Sequence, residues 1–129
     1  MRTFLWICVL VNAGIGVATL ADPLGFLAAV GLSTTGPNGE IELRAMYGGL
    51  ELGLAAFLAW CAVEKQRAAV GVIAMTSMLL GLGGIRLLSW FLLQPDGNEH
   101  LGLILFELSG AAIGIFLIVK ARVVPKIFA

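Results

Sequence analysis

Charge is what this chain has least of. Asp, Glu, Lys and Arg make up 12% of its 129 residues, where an average soluble domain has about a quarter. Eight acids balance eight bases, for a formal net charge of zero, so the basic footprint of a nucleic-acid binder is missing. The one histidine, His100, stands with Asp96 and Glu99 in a short connection. That is a poor metal set, better read as Asp96 capping the following helix with Glu99 three residues on, and no metal is expected. The two cysteines, Cys8 and Cys61, have no Cys-x-x-Cys spacing and fall toward one end of two separate helices, which argues against a structural disulfide. There is no phosphate loop, dinucleotide fingerprint or nucleophile elbow, so no cofactor is implied. Internal repeats, low-complexity tracts and soluble linkers are also missing.

What fills the chain is apolar: 60% of the residues are hydrophobic, and they come in long runs. Leu5–Ala21, Ala45–Val63, Ala68–Leu93 and Leu101–Val119 are each long enough, at about 1.5 Å per residue, to cross or nearly cross a hydrocarbon core of about 30 Å. None shows the alternation of a barrel strand. The expected fold is therefore all-α, an integral membrane four-helix bundle forming a single domain over residues 1–129. The first run also has features of a secretory signal, with Arg2 before it and Thr19-Leu20-Ala21 at its end. One basic residue makes a weak n-region and the apolar stretch is longer than the usual h-region, so it is read as a membrane helix.

The basic residues set the expected orientation. Arg2, Lys65, Arg67, Lys120, Arg122 and Lys126 flank one end of the helices, whereas the other two connections hold only Arg44 against Asp22, Glu40, Glu42, Asp96 and Glu99. The positive-inside bias places both termini in the cytoplasm, in a multi-pass membrane protein. Trp6 and Trp60 near one end and Trp90 near the other suit interfacial belts. Asp22 and Pro23 read as an N-cap followed by proline at the first helical position, which predicts a short interfacial helix over Pro23–Leu32 between the first two spans. Gly36-Pro37-Asn38-Gly39 is turn chemistry, and the second helix is expected to start near Glu40.

Against this background Glu51, Arg86 and Glu107 stand out. Each lies six or seven residues inside the outer end of its run, about 10 Å deep, and Asn12 lies slightly deeper on the first helix. A charge at the centre of a membrane helix costs about 2.5–3.5 kcal/mol, so the three are expected to meet inside the bundle. Arg44, Tyr47, Gly48, Glu51 and Ala55 recur at spacings of three and four, which stacks them on one α-helical face. Ala45, Gly49 and Gly53 form a neighbouring small-residue face, and Gly110 and Gly114 repeat that spacing on the last helix.

The segment Arg44-Ala45-Met46-Tyr47-Gly48-Gly49-Leu50, with Gly83-Gly84-Ile85-Arg86-Leu87 and Glu107, resembles the small bacterial four-helix membrane proteins grouped as domain of unknown function 4345. The likeness covers nearly the whole chain and implies fold and membrane location; it carries no activity.

These residues name no substrate and no reaction, and they leave enzyme and non-enzyme open. Two carboxylates against one guanidinium leave an excess acid unless Arg44 reaches inward or one glutamate is protonated. Glu51 and Glu107 are the candidates for proton donor or acceptor. Asn12, Arg44, Tyr47, Arg86 and Trp90 are the candidates for ligand binding, with Tyr47 and Trp90 able to flank a cation or an aromatic ring. Three readings follow. The first is binding of, or action on, a small lipophilic molecule of sterol, polyprenyl or quinone type in a cavity lined by Asn12, Tyr47, Glu51, Arg86, Trp90 and Glu107. The second is an accessory subunit docking by its small-residue faces onto a larger membrane complex. The third is a proton-coupled transporter or homo-oligomeric pore. Membrane lipid is the expected surrounding partner in all three.

Overall fold

The computed structural model of the protein describes residues 1–121. Arg122 and Lys126, part of the basic cluster behind the expected orientation, lie outside the described residues. The elements are α1 (Arg2–Ala21), α2 (Pro23–Ala28), α3 (Pro37–Leu43), α4 (Leu50–Val63), α5 (Ala68–Leu93) and α6 (Glu99–Lys120). A π-helical segment, Arg44–Gly49, joins α3 to α4 without a break, giving one helix from Pro37 to Val63. No strand occurs among the described residues. Four helices, Arg2–Ala21, Pro37–Val63, Ala68–Leu93 and Glu99–Lys120, are long and apolar enough to cross a membrane, so the all-α bundle expected from the apolar runs is what forms.

The element ends follow from local chemistry and adjust several sequence expectations. Asp22 caps α2 as expected, its Oδ1 accepting from the Gly25 amide at 3.0 Å with Pro23 in the first turn. That helix stops at Ala28 rather than Leu32. The chain turns through Gly31 at φ +76°, and the amides of Gly31 and Leu32 donate back to the carbonyls of Ala28 and Leu27, a glycine-terminated Schellman closure. The second long helix begins at Pro37 rather than near Glu40, because proline is preorganised for a first helical turn. At α6 the cap position is held by Asn98, and no side chain closes the turn, so the expected Asp96 cap is not used. α5 ends at Gln94 in the left-handed region, φ 45°, with Pro95 next to bar continuation.

The helices pack as two antiparallel pairs, α1 with the π segment and α4, and α5 with α6. In the first pair glycines admit leucines reciprocally. A Cβ on Gly16 would fall 2.7 Å from Leu52 Cγ, and one on Gly48 would fall 2.7 Å from a Leu20 methyl. In the second pair a Cβ on Gly110 would meet Leu79 at 2.9 Å, one on Gly83 would meet Leu108 at 2.9 Å, and Thr76 crowds Gly114. The Gly110/Gly114 expectation of close packing therefore holds. The Ala45, Gly49 and Gly53 face is left open within this chain: all three are exposed, and a Cβ on Gly53 would meet nothing within 4 Å.

The two pairs share one hydrophobic core, and it sits in one half of the bundle. Leu5, Cys8, Leu58, Cys61, Ala62, Ala68, Val72, Met75, Leu79 and Ala111 are its buried members. They belong to the half that carries Arg2, Lys65, Arg67 and Lys120, called here the basic end. Cys8 and Cys61 are both free thiols within this core. Here Arg2 Nε donates to the Ala62 carbonyl at 2.7 Å, serving an orphan carbonyl at the C-terminus of α4. The Arg67 guanidinium lies over the Trp60 ring at 4.1 Å and pairs with Glu64. The opposite, acidic end carries Asp22, Glu40, Glu42, Asp96 and Glu99 and adds little to that core.

Candidate functional site

The charged residues inside the apolar helices all lie toward the acidic end, where the common core gives out. One turn past the α5 glycines, Arg86 reaches across to α6. Its Nε donates to Glu107 Oε2 at 3.0 Å and its Nη2 to Glu107 Oε1 at 2.9 Å. This two-point geometry matches the guanidinium fork to both carboxylate oxygens. Glu107 is only 7% exposed. The close approach that buries it is set by Gly83, where a Cβ would come within 3.1 Å of Glu107 Cβ.

Glu51 does not join this pair. It is half-buried on α4, its Oε2 is shielded without a hydrogen-bond partner, and no ion pair links it to Arg86 or Arg44 among the described residues. The expected meeting of all three charges is thus replaced by one closed pair on α5 and α6 and one separate acid on α4. The reason is the pairing of helices, since residues of equal depth meet only where their helices are neighbours.

Arg44 is committed elsewhere. Its Nε and Nη2 bind Glu40 Oε1 at 3.0 and 2.8 Å, and its Nη1 donates to the Leu20 carbonyl at 2.6 Å. It closes the C-terminus of α1 much as Arg2 closes that of α4. The π segment that begins at Arg44 widens the helical turn to an i→i+5 repeat, and this breaks the single face expected from Arg44 through Ala55. Gly48 and Ala55 turn inward while Tyr47, 39% exposed, turns out. Asn12 is buried and spends its amide on the Cys8 carbonyl one turn earlier, at 2.7 Å.

The larger cavity, of about 560 Å³, lies along the acidic end of α5 and under the turn into α6. Gly81, Leu82, Ile85, Leu93 and Pro95 form its apolar wall, and Arg86, Ser89, Trp90 and His100 complete the lining. The Trp90 ring meets Phe91 edge-on, with centroids 5.3 Å apart. Trp90 Nε1 and His100 Nδ1 are both buried without a hydrogen-bond partner. Such groups cost free energy unless something completes them. Of the residues expected to line one common cavity, Arg86 and Trp90 do so here. Asn12 instead borders a second cavity of about 370 Å³ between α1, α5 and α6, and Tyr47, Glu51 and Glu107 line neither.

Ser89 and His100 are not among the site residues expected from the sequence. Ser89 lies one turn from Arg86 and shares its face, a signal available from helical spacing alone. His100 comes into range only when the N-terminus of α6 folds back over α5. No group of three or more His, Cys, Asp or Glu side chains is placed to hold a metal ion among the described residues.

A family model described as a domain of unknown function, DUF4345, matches residues 1–118. No curated protein and no solved structure matches the chain.

Proposed function

The chain belongs to the DUF4345 family, and from its geometry we propose that it is a multi-pass protein of the bacterial inner membrane, both termini cytoplasmic, that binds or acts on a small lipophilic molecule. The observation that carries this is the cavity beside Arg86. Its volume of about 560 Å³ lies within the usual range of about 300–1,000 Å³ for small-molecule sites, and its character, mostly apolar with a few convergent polar groups, is that of such sites. Ile85, Leu92 and Leu93 face outward from the same stretch of α5, so a ligand would enter sideways from hydrocarbon. Arg86 is held for its task by Glu107, which acts as counter-ion. Glu51, the other acid expected to move a proton, lines neither cavity, so Glu51→Gln, which removes ionisation at constant size, should leave binding beside Arg86 intact.

Native mass spectrometry combined with lipid extraction of the purified protein tests the reading. A small molecule retained at defined stoichiometry, and lost from Trp90→Ala, is the expected result. An extract no different from empty detergent, together with constant co-purification of one larger protein, would overturn it. The accessory-subunit reading would then lead, and it has its own support in the exposed Ala45, Gly49 and Gly53 face, which another helix can approach closely.

A further inference from the structure

The two helix pairs do not close on each other evenly. α1 packs on α4 and α6 on α5, and the pairs meet through α4 with α5 and α1 with α5, whereas α1 and α6 make almost no direct contact. That open seam is the second cavity, of about 370 Å³, with Met75 and Leu79 of α5 as its floor. Its lining runs from Met1 to Asn12 along α1 and from Leu117 back to Phe106 along α6, a length of about 16 Å at about 1.5 Å per residue. It therefore reaches from the basic end to mid-depth, the thickness of one leaflet of a hydrocarbon core about 30 Å thick. The two polar side chains at its inner end have backbone partners in their own helices. Asn12 donates to the Cys8 carbonyl and Ser109 to the Phe106 carbonyl.

We propose that this seam holds one acyl chain of a phospholipid from the leaflet at the basic end, and that the chain completes the contact between the two helix pairs. Shape selects the occupant. A volume of about 370 Å³ spread over about 16 Å of helix gives a mean section of about 23 Å², room for one extended hydrocarbon chain. A helix about 10–12 Å across has a section of about 80–110 Å², so the seam admits neither a partner's helix nor that of a second copy. Unfilled, its walls would forfeit the dispersion contacts of a close-packed interior, and the solvent at that depth is hydrocarbon. The mouth lies at headgroup depth. There Lys120, exposed and one helical turn beyond Leu117 on α6, suits the phosphate of an anionic lipid. The seam is separate from the cavity beside Arg86 and does not rest on the ligand proposed there.

The test uses the full chain in nanodiscs containing phosphatidylglycerol with a photoactivatable diazirine, placed either at the end of one acyl chain or next to its ester. Crosslinked residues are mapped by peptide mass spectrometry. The expected result is labelling of the seam roughly fivefold above that of Phe57 on α4 and Val70 on α5, which are exposed elsewhere in the same half of the bundle. The chain-end probe should mark Asn12 and Phe106, and the ester probe Thr3 and Leu117. Ser109→Phe, which puts a ring into the inner half of the seam, should lower the chain-end signal roughly fivefold without lowering the melting temperature. Trp90→Ala, at the other cavity, should leave the pattern unchanged, and loss of the seam signal there would overturn the claim of a separate site. Equal labelling of the seam and of Phe57 and Val70, or the two probes marking the same residues, would overturn the acyl-chain assignment while leaving the proposal for the Arg86 cavity standing.

Discussion

Each buried charge in this protein is handled in a different way, and the differences lead to different mutational outcomes. Glu107 is buried to 7% exposure and engaged at both oxygens by Arg86. Removing one partner of such a pair leaves an uncompensated charge, whereas removing both with apolar groups is often neutral. Arg86→Leu should therefore cost about 3–5 kcal/mol, and Arg86→Leu/Glu107→Leu should recover most of that. Thermal unfolding in detergent measures both, and a wild-type melting temperature for Arg86→Leu would show that the pair is not buried. The presence of misplaced charge was legible from the apolar runs because ionisable groups there are expensive. Its pairing was not, because Glu51 and Glu107 stand at similar depths and only helix adjacency selects Glu107.

At the level of the helix, glycine has two opposite roles here, and sequence spacing does not separate them. Gly16 and Gly48 lie at the α1 crossing, where an added Cβ on Gly16 would fall 2.7 Å from Leu52 Cγ and 3.0 Å from the Gly48 carbonyl. Gly53 lies on the open face, where an added Cβ meets nothing. Gly16→Ala should then destabilise by about 1–3 kcal/mol through overpacking, while Gly53→Ala should stabilise by up to about 1 kcal/mol through helix propensity. Unfolding of the two variants side by side checks this, and equal effects would exclude the reciprocal packing of Leu52 and Leu20. The regular spacing of Ala45, Gly49 and Gly53 does give a shared face, but helix pairing leaves that face open within this chain. The π segment Arg44–Gly49 inserts a wider turn ahead of Gly53, and nothing in its residues announces it beyond the conformational freedom of Gly48 and Gly49.

For the molecule as a whole, the core and the charges inside the apolar helices occupy opposite ends. The buried apolar cluster gathers at the basic end, and the Arg86–Glu107 pair, Glu51 and the larger cavity lie toward the acidic one. On the proposed orientation the basic end faces the cytoplasm. A reporter active only outside the cytoplasm should be silent when fused after Ala129 and active when inserted near Gly97. The reverse pattern would invert the bundle and place the cavity on the cytoplasmic side.

Composition and run length alone determined that four helices of membrane-crossing length form and that the charges within them lie toward one end, because both depend on the transfer of each segment from water to hydrocarbon. The short capped helix after Asp22 was equally local, resting on an N-cap and a first-turn proline. Only the tertiary structure decided that Arg86 meets Glu107 and not Glu51, that Arg44 and Arg2 close the ends of helices other than their own, and that Ser89, Trp90 and His100 share one cavity. Those outcomes depend on which helices are neighbours and on where a π turn resets the faces. Packing between distant segments sets both, and a local pattern of residues holds no record of it.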